Sequence, residues 1–162
     1  MRSELPSDFP LAQDHTEVDS ILIRVFAALS AGDAHATLSE LDLFWARLAV
    51  HIRAEHLVLF PAIIDTRPET REKVLALRND HDFFMKELAD LIKTLRLAAG
   101  NSGVDLGRIA SRLSVVRDRL QAHNRLEEAE IYPLAKTFDS RVLDRIDSEL
   151  NNLPPRFANN EQ

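Results

Sequence analysis

The chain has 162 residues, 45% of them apolar, which suits one domain with a substantial core and leaves too little for a second. It has no cysteine and a net charge of −6, which excludes disulfides, thiolate ligands and iron–sulfur clusters. The acidic balance also argues against nucleic acid, because no basic stripe is present to neutralise phosphates.

Only four glycines stand against abundant Leu, Ala, Arg and Glu, so the expected class is all-α. Residues 1–8 read as a flexible N-terminus, with Ser7 or Asp8 opening a first helix ahead of Pro10. That helix runs to Ala31, where Gly32-Asp33 supplies a stop and the next N-cap. The second helix spans about Ala34 to Asp65, and Pro61 near its end should bend it or loosen its last turns. Thr66-Arg67-Pro68-Glu69 has the capping-box pattern, so the third helix starts there and continues to about Ala99. Gly100-Asn101-Ser102-Gly103 is the clearest loop. A fourth helix covers about Asp105 to Lys136 and a short fifth about Ser140 to Leu150.

Four long helices joined by short connections imply an antiparallel up-and-down four-helix bundle with a short C-terminal fifth helix, occupying residues 9–150. The tail 151–162 reads as a frayed end, although Phe157 after Pro154-Pro155 could serve as a docking arm. No apolar run approaches the ~20 residues that span a bilayer, and Met1 to Leu11 lacks the pattern of a signal peptide. The expected place is the cytoplasm, with no membrane contact.

Each long helix shows an apolar seam at steps of three and four. The first reads His15, Val18, Leu22, Val25, Leu29, and the second Leu41, Phe44, Leu48, His51, Glu55, Leu59. The third reads Val74, Leu77, His81, Phe84, Leu88, Leu91, Leu95, and the fourth Leu113, Val116, Leu120, His123, Glu127, Leu134. Four histidines and two glutamates therefore interrupt the core side of the bundle. At ~1.5 Å per helical residue, His15 and His51 both stand about 26–28 Å from the turn at Gly32. His51 and His81 lie 16 and 14 residues either side of Arg67, and His81 and His123 each lie 21 from Ser102. All four imidazoles should share one layer.

Two of the helices repeat a pattern. His51 and His123 are each followed four residues later by a Glu (Glu55, Glu127), then by an aromatic and a Pro, in Phe60-Pro61 and Tyr132-Pro133. Positions i and i+4 share a helix face, so an imidazole and a carboxylate point the same way in both. Burying two lone carboxylates costs several kcal/mol each, and a cation among the six groups removes that conflict. Imidazole and carboxylate without thiolate suit iron, manganese or zinc. Two six-coordinate ions need about twelve ligand positions; four histidines, two bridging glutamates and an oxo or hydroxo bridge supply about ten, leaving about two open. The internal repeat favours two ions over one. The Glu-x-x-His motif of ferritin-like sites does not occur. His35 reads as a surface residue, His56 as a flank of the site, and Glu128 and Glu130 as solvated.

A His on the first helix, His-x-x-x-Glu on the second, His on the third and His-x-x-x-Glu on the fourth, with Leu-Phe-Pro and Ile-Tyr-Pro following, resembles the hemerythrin-like, or HHE cation-binding, family over roughly Phe9 to Phe138. The resemblance implies a bundle around a bridged non-haem diiron centre that reacts with oxygen, with His15, His51, Glu55, His81, His123 and Glu127 as metal ligands. Oxygen-carrying members have a second His four residues after the one on the third helix, where this chain has Met85. They also carry an Asp five residues after the last His, where this chain has Glu127 at four. The chain therefore looks like the bacterial subgroup with fewer His ligands. Met85, His56, Tyr132, Glu128 or water could complete the site.

The function expected from these readings is binding of O2 or another small diatomic such as NO for sensing, storage or delivery, with a redox or signalling protein as a further partner. Two alternatives stand beside it. One is a diiron enzyme acting on peroxide or nitric oxide, and the other an interaction bundle stabilised by its metal.

Overall fold

The structure is a computed structural model that describes residues 9–98 and 103–152. The expected cap at Ser7 or Asp8, most of the Gly100–Gly103 loop and the proposed arm at Phe157 lie outside the described residues. Helix α1 runs over Pro10–Ser30, α2 over Ala34–Ala54, α3 over Phe60–Thr66, α4 over Arg71–Ala98, α5 over Leu106–Leu126 and α6 over Ser140–Leu150. Single wide turns of i→i+5 type, Glu55–Leu59 and Glu127–Ile131, follow α2 and α5 directly, and the second passes into a tight 3-10 stretch at Tyr132–Thr137. α1 packs on α2, α2 on α4, α4 on α5, and α5 back on α1. The result is the expected antiparallel four-helix bundle. The short α6 closes one end against α1, α2 and the Glu55–Leu59 turn.

Local chemistry explains most boundaries. Asp33 caps α2 by accepting from the Ala36 N–H, Asp105 caps α5 by accepting from Arg108, and Asp139 caps α6 by accepting from Arg141. Gly32 takes φ 71° between α1 and α2, a conformation that other residues adopt at a cost. The capping box expected at Thr66 is absent. The Thr66 hydroxyl instead donates back to the Ala62 and Ile63 carbonyls, ending α3, and a 3-10 turn at Pro68–Thr70 leads into α4.

The core is two apolar clusters. The upper one includes Val18, Leu22, Val25, Leu29, Leu41, Phe44, Leu48, Phe84, Leu88, Leu91, Leu95, Leu113, Val116 and Leu120, and the lower one Phe9, Leu11, Ala54, Leu59, Phe60, Ile63, Val74, Leu77, Ile131, Tyr132, Ala135, Ile146 and Leu150. Phe44, Phe60 and Phe84 are fully buried, each contributing about 2–3 kcal/mol by area. Between the two clusters lies a polar layer. The seam residues are buried except Leu134, which is half-buried because the wide turn before it shifts the register and puts Ile131, Tyr132 and Ala135 inside. No helix among the described residues is long and apolar enough to cross a membrane.

Candidate metal centre

The polar layer consists of His15 on α1, His51 on α2, Glu55 just beyond it, His81 on α4, His123 on α5 and Glu127 just beyond that, all six buried. Their inward atoms fall into two groups that share Glu127. One is His15, His51 and Glu127, and the other is Glu55, His81, His123 and Glu127. Glu55 Oε1 also spans the divide, 3.3 Å from His51 Nε2 and 3.4 Å from His81 Nε2. Glu127 Oε1 lies 3.4 Å from His15 Nε2 and 3.0 Å from His123 Nε2, and the His81 and His123 Nε2 atoms are 3.0 Å apart.

Atoms bound at about 2.1 Å to one ion, at angles near 90–110°, stand about 3.0–3.4 Å apart, which is the spacing found here. Glu55 Oε1 and both Glu127 oxygens are buried without a hydrogen-bond partner. Buried carboxylate oxygens left in that state are costly, and a cation between the two groups relieves them. The donor set thus fits a metal.

Each inward Nε2 is aimed by what its ring holds at Nδ1. His51 Nδ1 donates to Asp14 Oδ2 at 2.9 Å, and Asp14 is paired in turn with Arg47. His123 Nδ1 donates to Asp80 Oδ2 at 3.0 Å, and Asp80 is paired with Arg119 Nη2 at 2.8 Å. His15 Nδ1 donates to Glu128 Oε1 at 2.9 Å. His81 Nδ1 faces His56 Nε2 at 2.8 Å, which leaves His81 Nε2 free to face Glu55. Such outer partners fix the tautomer and the ring plane of a metal-binding histidine.

In the metal-free chain, protons take the place of the cation. Burial disfavours charge on His51, yet the Glu55 charge and the Asp14 hydrogen bond outweigh it and raise its pKa to about 10. Burial, with the Glu55 charge beside it, pushes Glu127 well above the ordinary carboxyl range. Glu55 moves the other way because His51 and hydrogen bonds outweigh its burial, so one carboxyl of the pair keeps its proton and the other its charge. His15 is raised, its burial overcome by the neighbouring carboxyl groups of Glu127 and Glu128. Burial lowers His81 and His123, and it lowers His56, beside the positive edge of His81, to about 4.

A model of the hemerythrin HHE cation-binding domain matches residues 10–135. The chain belongs to that family. Comparison with curated proteins and with solved structures finds no significant match. Within the HHE family, the buried His/Glu layer of this chain is a possible metal site, and all six residues expected from sequence meet in it.

One expectation needs correction. Glu128 is not simply solvated, because it reaches α1 and accepts from His15. His56 lies on the flank of the site as expected, half-buried, with Nε2 2.8 Å from His81 Nδ1. His35 is exposed, and Glu130 makes a surface pair with Lys73 at 3.1 Å. Met85 packs half-buried against the upper apolar cluster.

The sequence held a longer repeat than the six inward residues. An Asp precedes His15 and His81, and an Arg stands four residues before His51 and His123. Asp14 and Arg47 serve His51, and Asp80 and Arg119 serve His123, so the repeat of Asp-His and Arg-x-x-x-His-x-x-x-Glu was the available signal.

Proposed function

We propose that this chain is a non-haem diiron protein that binds O2 or another small diatomic such as NO, for sensing, storage or delivery in the cytoplasm. His15 and His51 would hold one ion, His81 and His123 the other, and Glu55 and Glu127 would bridge them. The observation that carries this reading is the place of Glu127, which belongs to both donor groups and has both oxygens buried without hydrogen-bond partners. An imidazole and carboxylate set without thiolate suits iron, manganese or zinc, and the family resemblance is what points to iron.

When bound, a ferrous pair supplies the electrons with which a diatomic is held. The chain's own residues do the rest. Asp14, Asp80, Glu128 and His56 orient the four imidazoles, and Phe60 and Phe84, both fully buried, cover His81 and His123 and keep bulk water away. Six side chains leave about two coordination positions for a small ligand once a solvent bridge is present.

The test is an absorption spectrum of protein loaded anaerobically with two equivalents of Fe(II), recorded before and after air is admitted. Two irons per chain, with near-ultraviolet and visible charge-transfer bands appearing on oxygenation, are expected. Reversal on degassing marks a carrier and persistence an oxidising site. Stoichiometric iron with an unchanged spectrum would overturn the oxygen reading and favour a metal-supported scaffold.

A further inference from the structure

The two halves of the centre repeat each other except at two positions. After Glu55 come His56 and Phe60, and after Glu127 come Glu128 and Tyr132. The Phe60 ring lies nearly parallel to His81, 10° between planes and 5.9 Å between centroids, and offers no polar atom. Tyr132, 1% exposed, points its hydroxyl into the other half. Its oxygen stands 3.0 Å from His15 Nε2, 3.4 Å from His51 Nε2 and 3.3 Å from Glu55 Oε2.

A phenol has one hydrogen to give, and three polar atoms, two imidazole nitrogens and a carboxylate oxygen, converge on this single hydroxyl. With Glu55 and Glu127 shared, each histidine pair has four side-chain donors, and only the His15/His51 side has a further oxygen within reach. The distances of Tyr132 Oη to His15 and His51 match those between neighbouring ligands of one ion, about 3.0–3.4 Å.

We propose that Tyr132 is a metal ligand, its phenolate oxygen completing the His15/His51 side of the centre. This rests on the diiron reading above. The O–H bond breaks, the proton leaves to solvent, and an oxygen–metal bond forms with no change in oxidation state. A bound cation lowers the pKa of a coordinated group enough to drive this. The two ions would then be chemically unlike, one held in part by a phenolate oxygen and the other only by imidazole and carboxylate.

Tyr132 is the only tyrosine in the chain, so any phenolate signal belongs to it. The experiment loads wild type and Tyr132→Phe with Fe(II) without oxygen, measures iron per chain, then oxidises both with ferricyanide and records visible absorption and resonance Raman spectra. Two irons per chain and a visible phenolate-to-Fe(III) band with enhanced ring modes are expected in wild type, with complete loss of the band and of the ring modes in Tyr132→Phe. Two irons bound in wild type with no phenolate modes would overturn the ligand and leave the hydroxyl as a hydrogen-bond donor, the diiron reading standing. Fewer than two irons in wild type would overturn the diiron reading and the ligand with it. The wild-type spectrum decides the matter even if the variant fails to fold.

Discussion

Asp14 and Asp80 do the same job for His51 and His123 in different surroundings, and that difference separates their effects on affinity from their effects on stability. The Asp14 side chain is 2% exposed beside an Arg47 at 16%, whereas Asp80 is 25% exposed beside an Arg119 at 43%. Either Asp→Ala change should lower iron affinity by about 10–100-fold, because the imidazole loses its aim and some basicity. Asp14→Ala should also cost about 3–5 kcal/mol, since it strands a buried guanidinium, while Asp80→Ala should cost about 1 kcal/mol or less. Chelator competition measures the first effect, and denaturation of metal-free protein the second. Equal stability losses would contradict the burial argument. The same residues have a pH signature. In the metal-free chain His51 keeps its proton up to about pH 10 and Glu127 is raised well above its ordinary range, so metal loading at pH 7 should release about two protons from these groups, and a third when Tyr132 binds as phenolate. Calorimetry in buffers of different ionisation enthalpy would show it, and zero release would contradict those protonation states. His51, raised above its free value of 6.5, stabilises the metal-free chain fully below pH 6.5, and that contribution is lost as pH rises towards 10. His56, lowered to about 4, acts in the opposite sense and its contribution is lost as pH falls from 6.5 to 4. Sequence showed the inward residues because helical period reveals a face. The outward Nδ1 partners sit on neighbouring helices, and only the doubled Asp-His and Arg-x-x-x-His spacing could have disclosed them.

At the level of elements, the wide turns at Glu55–Leu59 and Glu127–Ile131 decide what the aromatic residues can reach. In a regular α-helix the fifth residue after a Glu lies about 140° round the axis, off the site. Here the Phe60 N–H bonds the Glu55 carbonyl and the Tyr132 N–H the Glu127 carbonyl, so each aromatic comes back over its own glutamate. The prolines explain why. Pro61 and Pro133 have no N–H for the carbonyl four residues earlier and their rings would strike it, so the preceding turn widens. Pro133→Ala should let the α5 helix continue regularly and turn Tyr132 away. The expected result is about tenfold weaker iron binding with a metal-free stability unchanged or higher by up to about 1 kcal/mol. Chelator competition and thermal melts would test this, and unchanged affinity would mean that packing, such as the Phe9 ring 5.0 Å from Tyr132, holds the turn instead. Sequence reading anticipated loosening near Pro61 because proline's missing N–H is visible in one letter. It placed Leu134 on the fourth seam because a strict period carries no inserted residue, and it took Thr66 for a cap because spacing does not say which backbone group a hydroxyl will choose.

For the whole molecule, the consequence of the design is a core divided in two by its own functional layer. Counting residues from the turns placed the four imidazoles in one layer, since the connections at Gly32 and Arg67 are short and helices of fixed rise must then meet level. Above the layer Phe44, Leu88 and Leu113 belong to one apolar cluster, and below it Phe60, Ile63, Leu77 and Ile146 belong to another. Buried carboxyl oxygens without hydrogen-bond partners weaken the metal-free layer at that joint. Ions held by residues from α1, α2, α4 and α5 at once would bind the two clusters into one unit. Hydrogen exchange should therefore show amides of 54–66, 127–137 and 140–150 opening before those of the upper cluster when metal is absent. On loading, protection should rise most in the lower part, while iron at 1,000 times its dissociation constant adds about 4 kcal/mol overall. A uniform rise across both clusters would show that the chain already unfolds as a single cooperative unit, and that the metal adds stability without joining its parts.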